Sequence, residues 1–322
     1  MLILFLNFYR IKWIKPGIFF SLGIRFFRLI SNVRGKAVNT NVDFFKTSNS
    51  VRNRRFFRNL AGSGSLSIYF VATKKDFSIL QHSVIFAKKS VSNFDLQTVG
   101  IIVPDEVIDE ARNLFEESEE FMIVAESTIL KRDVFETLNP RFGSRSNWIY
   151  QQLLKVSLIR NAKTKYCLIV DADTLLISPR LWIDRSDRLG LTPTDESNGD
   201  YSDFISKLEP KSKPPNNSFV PHHMCFDVDL FCRMLKEYEI NTFDELIHKI
   251  LSESNQESAS PVSIDYELFG QWVASHHPEK VVLMKWANLA IPRRKSSKIL
   301  ASKFRMSILR IFYNSISFHD YS

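Results

Sequence analysis

The sequence predicts an α/β protein built on a mostly parallel sheet flanked by helices, and three observations carry that expectation. From Leu66 onward, short apolar runs alternate with stretches of helical spacing: residues 68–71 then 76–91, residues 99–103 then 105–120, and residues 121–124. Such β-α-β-α-β alternation calls for parallel strands joined by crossover helices. Next, Tyr166-Cys167-Leu168-Ile169-Val170 is a continuous apolar run that meets Asp171 and Asp173, as a strand buried on both faces would. Finally, 322 residues with 44% hydrophobic content suffice for one large α/β domain or two small ones.

Residues 1–65 are expected to form a basic amphipathic arm and a linker. Residues 1–36 are rich in Phe, Ile and Leu, but Arg10, Lys12, Lys15, Arg25, Arg28 and Arg34 interrupt them. No uncharged run of about 18 residues, the length a spanning helix needs, is present. Residues 1–8 are apolar, yet nothing basic precedes them and no small-residue cleavage site follows, so no secretory signal is expected. After Pro16-Gly17, residues 18–33 can form a helix with Phe19, Phe20, Ile24, Phe27 and Ile30 on one side and Arg25 and Arg28 flanking them. That pattern suits a lipid interface or a packed helix alike. Residues 35–65 read as a linker. Their Gly62-Ser63-Gly64 lacks the Gly-Lys-Ser/Thr ending of a phosphate loop.

Residues 66–292 are expected to be the body. Residues 146–162 predict a helix capped by Ser146, with Ile149, Leu153, Leu154, Val156 and Leu158 forming its apolar stripe. Residues 190–217 are polar and contain Pro, so an inserted loop is expected there, either a lid or a plain surface excursion, with a short helix near 202–208. Residues 218–226 predict a strand carrying His222 and His223, whose adjacency sends them to opposite faces. Residues 227–238, 241–251 and 262–275 predict helices, the last containing Asp265 and Glu267, and residues 281–284 a late strand. Residues 293–322 are expected to be a second basic end. Within it, residues 296–312 predict one helix with Ile299, Phe304, Ile308 and Ile311 on one face and Lys298, Lys303, Arg305 and Arg310 around it.

The net charge of +8 hides a division. Residues 1–58 carry twelve Lys or Arg against Asp43 alone, residues 275–322 nine against Glu279 and Asp320, and the middle is acidic by ten charges. Two basic ends on an acidic body point to an anionic surface, membrane or nucleic acid. Three cysteines, Cys167, Cys225 and Cys232, have no metal-ligand spacing and read as reduced thiols, which suits a cytoplasmic protein.

Asp171 and Asp173 are the sharpest chemical feature. At the carboxyl end of a strand in an open α/β sheet they lie where ligands bind. Two carboxylates one residue apart, pointing the same way from an extended chain, make a hard oxygen site for Mg²⁺ or Mn²⁺ holding a diphosphate. Haloacid dehalogenase-type phosphatases also use D-x-D, but with Thr or Val two residues after the second Asp, where this chain has Leu175.

The ordered set resembles a GT-A-type glycosyltransferase with its D-x-D signature. It is similar to a poorly characterised bacterial glycosyltransferase-like group. The residues carrying the resemblance are Arg141, the run Asn147-Trp148-Ile149-Tyr150-Gln151-Gln152-Leu153-Leu154-Lys155, then Leu168 to Asp173, Phe219-Val220-Pro221-His222-His223-Met224, and Asp265-Tyr266-Glu267-Leu268-Phe269-Gly270. It covers roughly residues 66–290. The resemblance implies a GT-A fold, a nucleotide-sugar donor and Mn²⁺ or Mg²⁺. Thr73 and Asp76 become candidates for base or ribose contacts, against the alternative of a strand-end Thr and a helix N-cap Asp. Asp171 would face the ribose or a metal-bound water, Asp173 would ligate the metal, and His319 is a candidate third ligand. Arg141 could hold phosphate or an anionic acceptor, or stand in a solvated loop. Gln151, Gln152 and Lys155 could be acceptor contacts or exposed helix residues. One of His222 and His223 can enter the site.

An inverting transferase needs a base for the acceptor hydroxyl, and Glu267 is favoured over Asp265. Asp265 otherwise reads as a carboxylate complementing a helix N-terminus. The expected protein is thus a metal-dependent, inverting glycosyltransferase, peripheral on the inner membrane face, serving a cell-surface glycan or lipid-linked acceptor. A nucleotidyltransferase is the alternative enzyme, but Thr73-Lys74-Lys75-Asp76 has no Gly for its basic loop. A non-enzymatic membrane- or nucleic-acid-binding protein is the other alternative. No nucleic-acid partner is expected, since no recognised motif for one is present and the Phe content suits lipid better.

Overall fold

The structure, a computed structural model, describes residues 61–115, 121–194, 199–209, 218–255, 257–258 and 261–320. The expected amphipathic arm and most of the linker lie outside the described residues, as do parts of the expected loop, 195–198 and 210–217.

The expected α/β class with a mostly parallel, helix-flanked sheet is what is observed. Strand β1 (Ser65–Val71) leads through helix α1 (Phe77–Ser90) to β2 (Asp95–Val103), and β2 leads through α2 (Ile108–Leu114) to β3 (Phe121–Ala125). Two helices the sequence reading passed over follow, α3 (Glu126–Ile129) and α4 (Asp133–Phe142), the second accommodating Pro140. The long helix α5 (Ser146–Asn161) then delivers the chain to β4 (Tyr166–Val170) and the short β5 (Thr174–Leu175). Beyond these come β6 (Leu189–Leu191), α6 (Gly199–Leu208), β7 (His223–Asp227), α7 (Val228–Glu237), α8 (Phe243–Glu253), α9 (Tyr266–His276), β8 (Val281–Leu283), β9 (Asn288–Pro292), α10 (Ser296–Leu300), α11 (Lys303–Phe312) and β10 (Ser315–His319).

The central sheet has the order β3-β2-β1-β4-β7. Its first four strands are parallel, and β7 runs antiparallel to β4, with Val170 opposite His223. All five residues of β4 are fully buried, as its unbroken apolar run predicts. Helix α5 is buried nearly all round, Ile149, Leu153, Leu154, Val156 and Leu158 among its covered residues. Helix-sheet packing of this kind places the core on both faces of the sheet.

Several expectations are corrected. Ser146 does not cap α5; its hydroxyl is buried without a hydrogen-bond partner, and Arg145 occupies the cap position. The helix expected over 296–312 is two helices. Ser302 breaks it and caps α11, its Oγ accepting from the Arg305 N–H at 3.3 Å. Residues 293–322 are also not a separate end. Strand β10 sits at the centre of a second sheet, β5-β10-β9, pairing antiparallel with β5 and parallel with β9. It brings Ile316 and Phe318 into a small second core with Ile79, Leu175, Ile177, Ile291 and Met306. The described residues accordingly lie in one compact unit.

Candidate active site

The site lies where the sheet's strand order reverses. From β1 the chain crosses to β2 on one side and then β3, while β4 pairs with the other side of β1. The carboxyl ends of β1 and β4 therefore border a crevice, the usual ligand position in open α/β sheets. Thr73 and Asp76 follow β1, and Asp171 and Asp173 follow β4.

Strand β4 ends at Val170, so Asp171 and Asp173 sit on a turn, closed by the Thr174 N–H donating to the Asp171 carbonyl at 2.9 Å. The extended strand expected to carry both carboxylates thus ends one residue before Asp171. Three neighbours fix the turn. The Asp171 N–H donates to the His222 carbonyl at 2.9 Å, the Ser83 hydroxyl of α1 to the Ala172 carbonyl at 3.1 Å, and the Phe318 N–H of β10 to the Asp173 carbonyl at 3.0 Å.

Asp171 faces a closed, fully partnered set. Its Oδ1 accepts from Lys155 Nζ at 2.8 Å and from the Tyr266 hydroxyl at 2.8 Å, and its Oδ2 lies 3.2 Å from His222 Nδ1. Lys155 reaches on to Asp265 Oδ2 at 2.9 Å and lies 4.4 Å from the Tyr266 ring centroid. Burial by itself would raise the Asp171 carboxyl, but Lys155 and His222 overcome it and hold it well below the ordinary carboxylate range. Burial would likewise lower the Lys155 ammonium, and the Asp171 and Asp265 carboxylates reverse that and raise it.

Asp173 faces the opposite situation. Burial and the neighbouring Asp171 and Asp76 carboxylates push its carboxyl up to about 6. Its compensation is loose, with Arg293 Nη2 at 3.4 Å and His319 Nδ1 at 4.0 Å from Oδ2. Arg293 is held more tightly by Asp76, at 2.7 Å. The His222 and His319 rings pack with centroids 5.0 Å apart, and burial lowers the His319 imidazole. His222 adopts φ +64°, unusual for a residue with a side chain, and this turns it toward Asp171 while His223 points into the core.

Asp173 and His319 are too far apart to hydrogen-bond, and at 4.0 Å they could reach one divalent ion only as trans ligands, each about 2 Å from it. Asp171 is committed to Lys155, Tyr266 and His222. Among the described residues no group of three or more His, Cys, Asp or Glu side chains is gathered as a metal cluster. A Mg²⁺-type ion needs only one or two protein ligands when phosphate oxygens complete its shell.

The other expected site residues divide. Asp76 is 6% exposed and accepts from the Thr73 N–H and hydroxyl, both at 2.9 Å, so the pair forms a helix-start cap whose second oxygen anchors Arg293. Gln152 is buried away from the crevice. Its amide nitrogen donates to the Val262 carbonyl at 3.3 Å, and its oxygen accepts from the Ile264 N–H at 2.8 Å. Arg141 is exposed in the last turn of α4, apart from the residues gathered at Asp171. The base expectation is corrected for both carboxylates on physical grounds. Asp265 is 3% exposed, caps α9 through the Tyr266 N–H at 2.7 Å and pairs with Lys155. Glu267, also 3% exposed, accepts from the Ser218 hydroxyl at 3.0 Å, the Phe219 N–H and Gln271 Nε2 at 2.7 Å. Glu267 thus secures the 218–219 segment against α9, where Gly270 gives the room: a Cβ there would lie 2.4 Å from the Phe219 Cβ.

Tyr266 and Arg293 are site residues the sequence reading did not assign, and Lys155, expected as an acceptor contact or an exposed helix residue, is instead buried between Asp171 and Asp265. For Lys155 a signal existed, a cation on a helix otherwise suited to burial. Arg293 sits in a run of three cations and carries no such mark.

Residues 69–185 match a family described as a family of unknown function (DUF6492). No curated protein matches the chain. Solved structures similar to it include the galactosyltransferase LgtC in complex with donor and acceptor sugar analogues, at 10% identity over 78% of this chain and 86% of that one, TM-score 0.41. Two others are the WbbM bifunctional glycosyltransferase (11%, 87% and 47%, TM-score 0.40) and the mannosyltransferase Ktr4p of S. cerevisiae (9%, 66% and 75%, TM-score 0.36). Likeness at this level leaves the activity to be argued from the site's own chemistry.

Proposed function

We propose that the protein is a metal-dependent glycosyltransferase of the GT-A type, moving a sugar from a nucleotide-sugar donor to a glycan or lipid-linked acceptor. One observation carries the reading. At the strand-order reversal of a mostly parallel sheet, Asp173 stands crowded by Asp171 and Asp76, opposite His319, in a site short of positive charge. A carboxylate raised by its like-charged neighbours is stabilised by any cation that enters, and Asp173 with His319 would hold Mn²⁺ or Mg²⁺ there. Such an ion would offset the charge developing on a departing diphosphate.

The surrounding residues supply the rest of a donor site. Arg293, held by Asp76, the Lys75 carbonyl and Asp320, brings a guanidinium to 3.4 Å from Asp173, where its charge would also attract a phosphate. Lys155 and Tyr266 keep Asp171 ionised and oriented, and Asp171 in turn holds His222 over His319. A thermal-shift screen of UDP-, GDP-, CMP- and dTDP-sugars with and without Mn²⁺ tests this. One donor is expected to raise the melting temperature only with the metal, by mass action. No metal-dependent shift with any nucleotide would remove the reading.

A further inference from the structure

Helix α11 is apolar on two opposite faces. Its inner face, with Met306 8% exposed and Leu309 half-buried, packs on the small core that contains Ile316 and Phe318. Its outer face shows Phe304, Ile308 and Ile311, which are 70%, 40% and 51% exposed. Their spacing of four and then three sets them in one line along the helix. Three of the six large exposed hydrophobic side chains among the described residues therefore stand on one ten-residue helix. The inner face alone anchors α11, so the outer stripe has no part in folding the described body.

The charges around the stripe indicate what covers it. Lys303 and Arg305 project to its two sides, and Arg294, Lys295 and Lys298 are exposed just before it. Between Val281 and His319 there are eight Lys or Arg and no Asp or Glu. A second copy packed symmetrically, stripe on stripe, would meet these cations with its own. Residues 1–58, with their excess of eleven positive charges, would also be repelled. An anionic bilayer meets both requirements, an apolar boundary for the stripe and negative headgroups for the cations.

We propose that α11 docks flat on an anionic phospholipid surface, with Phe304, Ile308 and Ile311 at the acyl boundary and Lys303 and Arg305 at headgroup level. Long cationic side chains reach the headgroups while their stems cover apolar surface. Strand β10 leaves α11 after two residues and ends at His319, beside Asp173. Docking therefore holds the crevice close to the membrane. This inference does not rest on the sugar-transfer reading, and its test uses no donor.

The test is flotation of the full-length chain with phosphatidylglycerol or phosphatidylcholine vesicles, for the parent and for the triple variant F304S/I308S/I311S. A second arm places an environment-sensitive fluorophore at Phe304→Cys in a Cys232→Ser background, since Cys167 and Cys225 are buried. The parent is expected to float with phosphatidylglycerol and be released by salt. The triple variant should keep its melting temperature and lose at least tenfold in vesicle affinity. The label should shift to the blue only with phosphatidylglycerol, and be quenched by spin-labelled lipid. Unchanged binding of the triple variant overturns the proposal, as does a label that stays solvent-exposed on bound vesicles. A label already buried without vesicles assigns the stripe to the chain's own arm or to a second copy, and overturns it too. If the triple variant does not fold, the label alone decides.

Discussion

Asp171 and Asp173, one residue apart, live in opposite electrostatic worlds. The Asp171 side is a closed brace of Lys155, Asp265, Tyr266 and His222, in which both carboxylate oxygens are engaged and the acid is strengthened. The Asp173 side is open, with the Asp76, Asp173 and Asp320 carboxylates sharing the Arg293 guanidinium and the Asp173 acid weakened to about 6. Neighbouring groups whose environments push their titration apart mark a division of roles. The two aspartates are thus not equivalent: Asp171 is locked in a closed ion-pair network, and Asp173 is crowded by like charges.

The strongest way to break that division is Lys155→Met. It leaves Asp171 and Asp265 buried without their shared cation, which typically costs about 3–5 kcal/mol. Urea unfolding should show that loss. Its pH dependence supplies a second reading. In the parent, the depressed Asp171 contributes stability above the ordinary carboxylate range and loses it as the pH falls below. In Lys155→Met the unpaired carboxylates should favour the fold only when protonated, so acid should stabilise the variant. A variant as stable as the parent with an unchanged pH profile would show that no brace exists.

Asp173→Asn probes the open side and should act in the other direction. Asp173 favours the fold in its protonated form. Its contribution is complete below the ordinary carboxylate range and is lost as the pH rises through about 6. The amide removes that penalty, so the variant should gain up to about 2 kcal/mol above pH 7 and nothing at pH 4. Metal-dependent donor shifts should vanish with it. Loss of stability at pH 8, or donor and Mn²⁺ shifts equal to the parent's, would transfer the ligand role away from Asp173.

The sequence made one side of this division more legible than the other. The β4 run and the aspartates after it are local features, and so is the alternation that predicts a parallel sheet. The partners that separate the two aspartates are not local. Lys155 meets Asp265 across 110 residues, Tyr266 meets Asp171 across 95 and Arg293 meets Asp173 across 120. Pattern reasoning cannot supply such contacts, because they follow from how the crossovers stack. Glu267 shows the same limit in reverse. Its place at a helix start after the D-x-D suggested a base, while Phe219, 48 residues away, claims its carboxylate. Strand β10 was readable, since Ile316 and Phe318 alternate as a strand requires. The split at Ser302 was masked by an apolar stripe that continues through it.

Glu267→Gln sharpens the comparison by testing a third carboxylate that the structure assigns to the framework. The amide keeps one acceptor oxygen for Ser218, Phe219 and Gln271 to share, and introduces a donor facing donors. A loss of about 1–2 kcal/mol in urea unfolding is expected, as for a buried hydrogen bond left unmade. A base would behave otherwise. Unchanged stability with a large fall in turnover would restore Glu267 to the chemistry.

Tyr266→Phe should have the smallest effect, and for that reason tells most about the brace. The ring keeps its stack on Phe226 and its place under the Lys155 ammonium, so only the hydroxyl is lost. Asp171 Oδ1 still accepts from Lys155, and Oδ2 still faces His222. No buried acceptor is left bare, so a cost of about 1 kcal/mol is expected, well below that of Lys155→Met. The Asp171 set is then held chiefly by charge, with the hydroxyl orienting it. Members of a buried polar network can also support one another, and a cost near that of Lys155→Met would reveal such mutual support. A double-mutant cycle of Tyr266→Phe with Asp171→Asn separates the two cases. A coupling of about 1 kcal/mol fits a single shared hydrogen bond, and a coupling several times larger would mean that the closed side acts as one unit.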